Sequence, residues 1–373
     1  MRELVALVMP AGSAFVDELL RAWDAGDAVL PVDTRLPDAL VVQLLDTLAP
    51  TAIVDATGDR VTRPGGRPVE AGDALVVATS GTTGVPKGVV LTHGAVRASA
   101  DATSARLGID RLRHRWLCCL PVAHIGGLSV ITRSLHSGTP LDLHPGFDAD
   151  AVCATARGGA THTSLVTAAL ARIDPSLFER ILLGGAAPPT QLPPNCTPTY
   201  GMTETGSGIW YDDAPLDGVE VAVRSDEIHV RGPMLLRAYR DAHADTDPKS
   251  VDGWFATGDA GALTANGRLV VHGRRGHVIV SGGEKVWPET VERVLATHPS
   301  IADVLVYGAP DPEWGQRVAA RVVVNAGDDA PSLDQLRAFA RDRLAPFALP
   351  RAVEVVASLE RTALGKLRRS SSP

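Results

Sequence analysis

The chain has 373 residues, of which 45% are hydrophobic and 21% are charged. This composition is typical of a globular protein with a full core and excludes a disordered chain. Lys and Arg total 36 against 43 Asp and Glu, a net charge of −7 that argues against nucleic-acid binding. No apolar run reaches the roughly 18 residues of a transmembrane helix. The first residues do not have the pattern of a signal peptide. The four cysteines have no paired or metal-ligand spacing. We therefore expect a cytoplasmic protein without membrane insertion.

Short apolar runs alternate with amphipathic stretches in the first two thirds of the chain. Strands are predicted at 74–78, 116–120 and 180–183, and helices at 125–135 and 151–156. This alternation is typical of an α/β domain.

The pattern changes after residue 218. Short β-runs at 219–230 and 267–272 predict a small β-rich subdomain. After residue 273 we expect an α+β unit, with helices at 288–297 and 332–344, the second capped by Ser332, and strands at 304–307 and 318–324. The predicted domains are therefore 1–273 and 278–373, joined by a hinge at 274–277.

A Gly- and hydroxyl-rich segment follows the strand predicted at 74–78. Residues 79–88 read Thr-Ser-Gly-Thr-Thr-Gly-Val-Pro-Lys-Gly. Backbone N–H groups and hydroxyls of such a loop can converge on phosphate oxygens, and Lys87 adds a point charge. The segment is not a Walker A loop, because no Ser or Thr follows the lysine. The alternative is a flexible turn, but the density of donors favours phosphate binding.

Lysine is rare in this chain, with four lysines among the 36 basic residues: Lys87, Lys249, Lys285 and Lys366. A retained lysine is expected where a compact ammonium cannot be replaced by a guanidinium. Three of them lie in Gly-rich segments, whereas we expect Lys249 to be exposed and without consequence.

The loop at 79–88 resembles the signature loop of the adenylate-forming enzymes, which include acyl- and aryl-CoA ligases, adenylation domains and luciferases. Further segments resemble motifs of that family in the same order. They are Tyr-Gly-Met-Thr-Glu-Thr at 200–205, Thr-Gly-Asp at 257–259, a hinge at 273–277, and Arg-Thr-Ala-Leu-Gly-Lys at 361–366. The resemblance runs from about residue 26 to residue 369 and implies activation of a carboxylate by ATP and Mg²⁺, followed by transfer to CoA.

The resemblance implies a set of site residues, and their chemistry suits the task. Attack on the α-phosphate builds negative charge that donors, a cation and a metal stabilise. Glu204 is a hard oxygen ligand for Mg²⁺, Asp259 and Arg274 suit the ribose, and Gly184, Gly185 and Ala186 leave room for adenine beside Tyr200. The expected ATP-binding residues are Thr79, Ser80, Gly81, Thr82, Thr83, Gly84, Lys87, Gly184, Gly185, Ala186, Tyr200, Gly201, Met202, Thr203, Asp259, Arg274 and Lys366. The expected catalytic residues are Lys366, His124 and Thr203.

The acyl-binding candidates are His124 and Arg133. The resemblance places His124 beside the acyl carboxylate. Arg133 lies nine residues further on, within an apolar helix. It either extends to solvent or binds a second carboxylate of the substrate.

Residues 281–283, Ser-Gly-Gly, are expected to form a channel for CoA after a rotation about Gly276. Gly276 departs from the Asp or Lys that is common in the family's hinge. Lys285 stands where some relatives carry Arg, which leaves its role open.

The position of the signature loop near the N-terminus indicates a shortened N-terminal region. Chains of this kind are similar to the o-succinylbenzoate–CoA ligases of menaquinone biosynthesis. Arg133, the segment at 29–37 and Ser-Gly-Gly-Glu-Lys at 281–285 agree with that group. Another aryl- or acyl-CoA ligase, a stand-alone adenylation enzyme, and an inactive nucleotide-binding sensor are the alternatives, and a homodimer is left open.

Overall fold

The computed structural model describes residues 2–80, 86–185, 188–189, 191–360 and 369. The chain divides into two compact units. The first comprises Met1–Val221 and Val230–Phe255, and the second comprises Ala222–His229 and Ala256–Pro373. No helix of the described part has the length and apolar character of a membrane span.

The described residues form strands throughout the chain. In the first part of the chain these are β1 (Leu4–Val8), β2 (Ala28–Pro31), β3 (Ala52–Asp55), β4 (Arg60–Thr62), β5 (Asp73–Ser80), β6 (Pro86–Thr92), β7 (Trp116–Cys118), β8 (Leu141–Leu143), β9 (His162–Leu165), β10 (Arg180–Leu183), β11 (Cys196–Met202), β12 (Ser207–Tyr211) and β13 (Ala214–Pro215). They are followed by β14 (Glu220–Arg224), β15 (Glu227–Arg231), β16 (Ala238–Arg240), β17 (Asp245–Thr246), β18 (Phe255–Leu263), β19 (Leu269–Arg274), β20 (Ile279–Ser281), β21 (Glu284–Val286), β22 (Ile301–Asp311), β23 (Gly315–Val324) and β24 (Ala352–Val355).

The α-helices are α1 (Ser13–Ala25), α2 (Asp38–Leu48), α3 (His93–Leu107), α4 (Ile125–Ser137), α5 (Ala149–Arg157), α6 (Thr167–Leu170), α7 (Pro288–Leu295) and α8 (Leu333–Ala340). Short 3₁₀ helices cover Pro175–Leu177, Thr203–Thr205, Arg275–His277 and Pro346–Ala348.

Two large sheets organise the first unit. The first has the order β17-β16-β6-β5-β2-β1-β3-β4, and its central strands β1 and β2 are apolar and almost fully buried. Strands buried on both faces have this continuous apolar pattern. The second sheet has the order β13-β12-β11-β10-β9-β7-β8, and its core includes Leu117, Val152 and Ile181. The predicted α/β architecture is confirmed.

The second unit is richer in β-structure. It holds most of the sheet β14-β15-β18-β19 and the whole sheet β21-β20-β23-β22, to which β24 adds. Helices α7 and α8 pack on the latter sheet through Val291, Leu295 and Leu336. The second unit includes residues on both sides of 274–277, and the hinge there stays a prediction.

Ser332 caps α8 as predicted. Its hydroxyl accepts from the backbone N–H of Gln335, and the Gln335 side chain accepts from the Ser332 N–H, a reciprocal capping box. The helix ends at Ala340 rather than at 344. Leu344 is buried in the core after a turn, and Pro346 follows, which disfavours continuation of the helix.

Candidate active site

The predicted phosphate loop connects two paired strands. β5 and β6 are antiparallel, with Thr79 opposite Lys87 and Ser80 opposite Pro86. The Thr79 hydroxyl lies 3.5 Å from the Lys87 carbonyl oxygen, to which it donates. Gly81, Thr82, Thr83 and Gly84 lie outside the described residues, and so does their predicted contact with phosphate.

Lys87 and Glu204, which the sequence assigned to phosphate and metal binding, both contact Tyr239. The Lys87 ammonium lies 4.8 Å from the centre of the Tyr239 ring. The Tyr239 hydroxyl donates to Glu204 Oε1 over 2.9 Å. Sequence reasoning missed Tyr239, because no motif of residues 200–205 or 79–88 includes it.

Gly201 allows the segment that carries Thr203 and Glu204 to pack closely against the backbone of Ser207. β11 leads into the 3₁₀ helix Thr203–Thr205, and a side chain at Gly201 would overlap the Ser207 carbonyl. The Met202 N–H donates to the Thr205 hydroxyl over 2.9 Å. These contacts hold Thr203 and Glu204 directly after the end of β11.

Glu204 has the chemistry expected of a Mg²⁺ ligand. The described residues contain no group of three His, Cys, Asp or Glu side chains able to hold a metal ion. Mg²⁺ is commonly bound by one or two carboxylates together with substrate phosphates and water. The single carboxylate of Glu204 fits that mode.

The predicted adenine site lies at the ends of two neighbouring strands. β10 and β11 are parallel, with Leu183 opposite Pro198, so Gly184 and Tyr200 lie at the same edge of the sheet. Gly185 has φ +83°, a left-handed conformation that favours glycine. Ala186 lies outside the described residues, and the contact with adenine stays a prediction.

Asp259 and Arg274, both in the second unit, are brought together. They face each other across β18 and β19, with Asp259 Oδ1 3.1 Å from Arg274 Nε. Arg274 Nη1 also donates to the Thr257 carbonyl over 2.7 Å. The Thr257 hydroxyl donates to the Ile228 carbonyl and accepts from the Asp259 N–H. The pair is thus held in place, and its contact with ribose stays a prediction.

His124 begins α4 beside a buried carboxylate. Its Nε2 lies 3.5 Å from Asp33 Oδ2. The Arg35 guanidinium donates to both Asp33 oxygens, over 2.8 and 2.6 Å, and these bonds hold the pKa of Asp33 below its usual range. The sequence marked 29–37 as a characteristic segment but gave Asp33 no role.

Arg133 is buried, with 2% of its surface exposed, so the expectation that it might extend to solvent is wrong. Its guanidinium donates to the hydroxyls of Ser164 at 3.2 Å, Ser207, and Tyr211 at 3.4 Å. The Trp116 ring centre lies 5.7 Å away. Sequence reasoning missed the hydroxyl partners, although polar residues within buried strands are a recognisable signal.

The Arg133 guanidinium is only partly satisfied. Among the described residues it forms no ion pair, and its Nε is buried without a hydrogen-bond partner. A buried cation surrounded by neutral hydroxyls is costly unless an anion completes its surroundings. The arrangement therefore suits a ligand carboxylate.

The predicted CoA segment forms the turn between β20 and β21. Gly282 and Gly283 have φ of +61° and +86°, and the Gly282 N–H donates to the Trp314 carbonyl over 2.9 Å. Ser281 is buried within the second unit. Lys285 Nζ pairs with Asp226 at 2.7 Å.

Two lysines remain. The expectation that Lys249 is exposed without consequence is wrong, because its ammonium donates to the carbonyls of Leu236 at 2.7 Å and Arg237 at 3.0 Å. Lys366, the predicted catalytic lysine, lies outside the described residues.

Models of two protein families match the chain. The AMP-binding enzyme family matches residues 62–240, and the AMP-binding enzyme C-terminal domain matches residues 290–366. The probable 2-succinylbenzoate–CoA ligase of Mycobacterium tuberculosis is 39% identical over 322 residues, which are 80% of this chain and 83% of that protein. The 2-succinylbenzoate–CoA ligase of Bacillus cereus is 36% identical over 332 residues, 79% of this chain and 68% of that protein.

Solved structures of o-succinylbenzoate CoA synthetase are similar in fold to this chain. The o-succinylbenzoate CoA synthetase of Bacillus subtilis, in complex with its acyl-adenylate intermediate, superimposes with a TM-score of 0.85 at 28% identity, covering 98% of this chain and 87% of that one. The same enzyme in complex with ATP and magnesium gives a TM-score of 0.85. The chain therefore belongs to the AMP-binding, adenylate-forming enzymes and, within them, to the 2-succinylbenzoate–CoA ligases, which are AMP-forming acid–thiol ligases.

Proposed function

We propose that this enzyme activates the aliphatic carboxylate of 2-succinylbenzoate and recognises the ring carboxylate through Arg133. The observation that carries the proposal is the buried, partly unsatisfied guanidinium among the hydroxyls of Ser164, Ser207 and Tyr211. A bidentate interaction with a carboxylate would complete the hydrogen bonding of this cation. Membership of the family supports the same substrate.

The acyl and nucleotide sites share one stretch of chain. Ser207, which contacts Arg133, begins β12 directly after the turn that carries Thr203 and Glu204. His124 begins the helix that carries Arg133. A substrate whose ring carboxylate meets Arg133 is therefore bound by elements next to two of the predicted catalytic residues, His124 and Thr203.

In the first half-reaction an oxygen of the aliphatic carboxylate attacks the α-phosphorus of ATP. The bond to the β-phosphate oxygen breaks, so pyrophosphate leaves with the electron pair and an acyl-adenylate forms. We assign Lys87 and Thr203 to stabilisation of the charge on the phosphate oxygens, and Lys366 to a cation at the α-phosphate, all by resemblance. Glu204 would hold Mg²⁺, which would neutralise part of the charge on the phosphates.

In the second half-reaction the CoA thiol releases its proton to solvent and its sulfur attacks the acyl carbonyl. The bond from the carbonyl to the phosphate oxygen breaks, and AMP leaves. We assign 281–283 to the pantetheine channel and 274–277 to the hinge between the two steps, both by resemblance. The cytoplasmic location and the homodimer stay predictions, and light scattering after size-exclusion chromatography tests the second.

The test is product analysis with matched acids. Incubation with ATP, Mg²⁺, CoA and 2-succinylbenzoate should yield AMP, pyrophosphate and the thioester. 4-Oxo-4-phenylbutanoate, which lacks only the ring carboxylate, should be a poor substrate. Formation of ADP and phosphate would exclude attack at the α-phosphate. Equal kcat/KM for the two acids would exclude recognition of the ring carboxylate and favour a less selective aryl- or acyl-CoA ligase.

A further inference from the structure

We propose that Tyr239 is a positioning residue that holds Glu204 and Lys87 ready for the metal–nucleotide complex while keeping the two opposite charges from pairing with each other. The inference rests on the proposed function only in that ATP and Mg²⁺ bind at this site. Neither the signature loop nor the segment at 200–205 contains this tyrosine.

Tyr239 offers a separate partner to each charged group. Its hydroxyl donates to Glu204 Oε1 over 2.9 Å, and its ring face lies 4.8 Å from the Lys87 ammonium. An ammonium over an aromatic face is attracted to the ring, and a hydroxyl bound to a carboxylate is a charge-assisted hydrogen bond. Within the described part of the chain, Lys87 and Glu204 form no ion pair.

This separation has a functional consequence. A direct ion pair of Lys87 with Glu204 would have to break before the lysine met phosphate and the carboxylate met Mg²⁺. The free energy needed to break it would reduce the affinity for the metal–nucleotide complex. The hydrogen bond to Oε1 also fixes the orientation of the Glu204 carboxylate.

The backbone makes Tyr239 a stable support. Strand β16 pairs with β6, which carries Lys87, and Tyr239 lies opposite Val89. The Leu236 N–H donates to the Glu204 carbonyl over 2.8 Å. The segment that ends in Tyr239 is therefore bonded to both segments that it positions.

Lys249 fixes the same segment from another direction. Its ammonium donates to the carbonyls of Leu236 and Arg237 and to Asp247 Oδ1 at 2.7 Å. A compact ammonium can donate to several acceptors at once. This arrangement gives a physical reason for a lysine at this position in a chain whose basic residues are mostly arginine.

The experiment separates the two contacts of Tyr239. Tyr239→Phe keeps the ring and removes the hydroxyl, whereas Tyr239→Leu removes both contacts. Binding of ATP is measured by calorimetry across a Mg²⁺ titration and also in EDTA, without acid or CoA. Tyr307→Phe, on β22 of the second unit, is the matched control.

Tyr239→Phe should raise the Mg²⁺ concentration that half-restores tight ATP binding by about 3–10-fold, from loss of one hydrogen bond. ATP binding in EDTA should be unchanged. Tyr239→Leu should weaken binding in EDTA as well, because Lys87 loses its support. In a Glu204→Gln background, Tyr239→Phe should cause no further change in the Mg²⁺ requirement.

An unchanged Mg²⁺ requirement in Tyr239→Phe, with the fold confirmed by circular dichroism, would overturn the proposal. So would equal and additive effects of Tyr239→Phe and Glu204→Gln. Because no acid is present, failure of 2-succinylbenzoate as the substrate would leave this result unaffected.

Discussion

Arg133 Nη1 donates to the Ser164 hydroxyl over 3.2 Å, and both side chains are buried. The two residues are 31 positions apart, on α4 and β9. Because the hydroxyls of Ser164 and Ser207 are neutral, they do not neutralise the positive charge of the guanidinium, which can therefore attract an anionic ligand. This relationship makes the acyl site testable by substitution.

Replacing Arg133 tests recognition of the ring carboxylate. Arg133→Ala should lose about 2–4 kcal/mol of transition-state binding for 2-succinylbenzoate, because the carboxylate loses a buried, charged partner. Arg133→Lys should recover only part of the loss, since the planar fork is absent. Steady-state kinetics would give both values, and the KM for ATP should change little. An unchanged kcat/KM in Arg133→Ala would exclude the assignment.

Replacing Asp33 tests its influence on His124, whose Nε2 lies 3.5 Å away. Asp33→Asn should lower the free energy of unfolding by about 1–2 kcal/mol, because Arg35 loses a charged acceptor. It should also lower kcat/KM for the acid by roughly tenfold, about 1.4 kcal/mol, because the imidazole loses its charged neighbour. Arg35→Gln is the matched control, since it removes the other partner and leaves the carboxylate. Equal kcat/KM in the two variants would show that Asp33 has only a structural role.

The buried His162 should make the folded protein less stable in mild acid. Burial, helped by the nearby His114, lowers the pKa of His162 to about 4. The unfolded chain binds a proton near pH 6.5, so stability contributed by the uncharged imidazole is present above that pH and lost as the pH falls toward 4. The loss should reach about 3 kcal/mol.

Denaturant unfolding between pH 7.5 and 4.5 measures this effect. His162→Gln should reduce the pH dependence, whereas His243→Gln, at an exposed position, should not. Burial also lowers the pKa of His93, His136 and His272, so these residues contribute the slope that remains. The lowered pKa of Asp33 contributes in a lower range, below about pH 4, because its stabilisation is lost only as the carboxylate is protonated. A slope in His162→Gln equal to that of the unsubstituted protein would contradict the assignment.

The two half-reactions should be separable by two variants. Lys366→Ala should reduce adenylate formation by about 100-fold or more, from loss of transition-state charge stabilisation, yet still convert supplied acyl-adenylate and CoA to thioester. Gly276→Pro should accumulate adenylate and slow thioester formation, because proline fixes φ. Rapid-quench measurement of each half-reaction distinguishes them.

Gly276→Ala is the matched control for the hinge. A Cβ at Gly276 meets no atom within 4 Å, so the alanine variant should retain both half-reactions. Equal loss of both half-reactions in Lys366→Ala and Gly276→Pro would exclude a two-conformation mechanism.

Local sequence was sufficient for the α/β class, the approximate positions of the strands and helices that it predicted, and the order of the motifs. Strand β10 begins and ends as predicted at 180–183, and Ser332 caps α8. These features depend on hydrophobic period and on hydrogen bonds between near neighbours, which a short segment contains in full.

Tertiary structure alone decided which side chains meet. Tyr239 reaches Glu204 across 35 positions, and Arg133 reaches Ser207 across 74. Neither pair has a spacing that a single helix or strand could produce. Tyr239 lies on a strand of the first sheet and Glu204 follows a strand of the second, whereas Arg133 reaches Ser207 because α4 packs against β12. The sequence by itself therefore determined which chemistry this enzyme carries, whereas packing between distant segments determined the burial of Arg133 and the partners of Glu204, because both arise from contacts that form only when those segments come together.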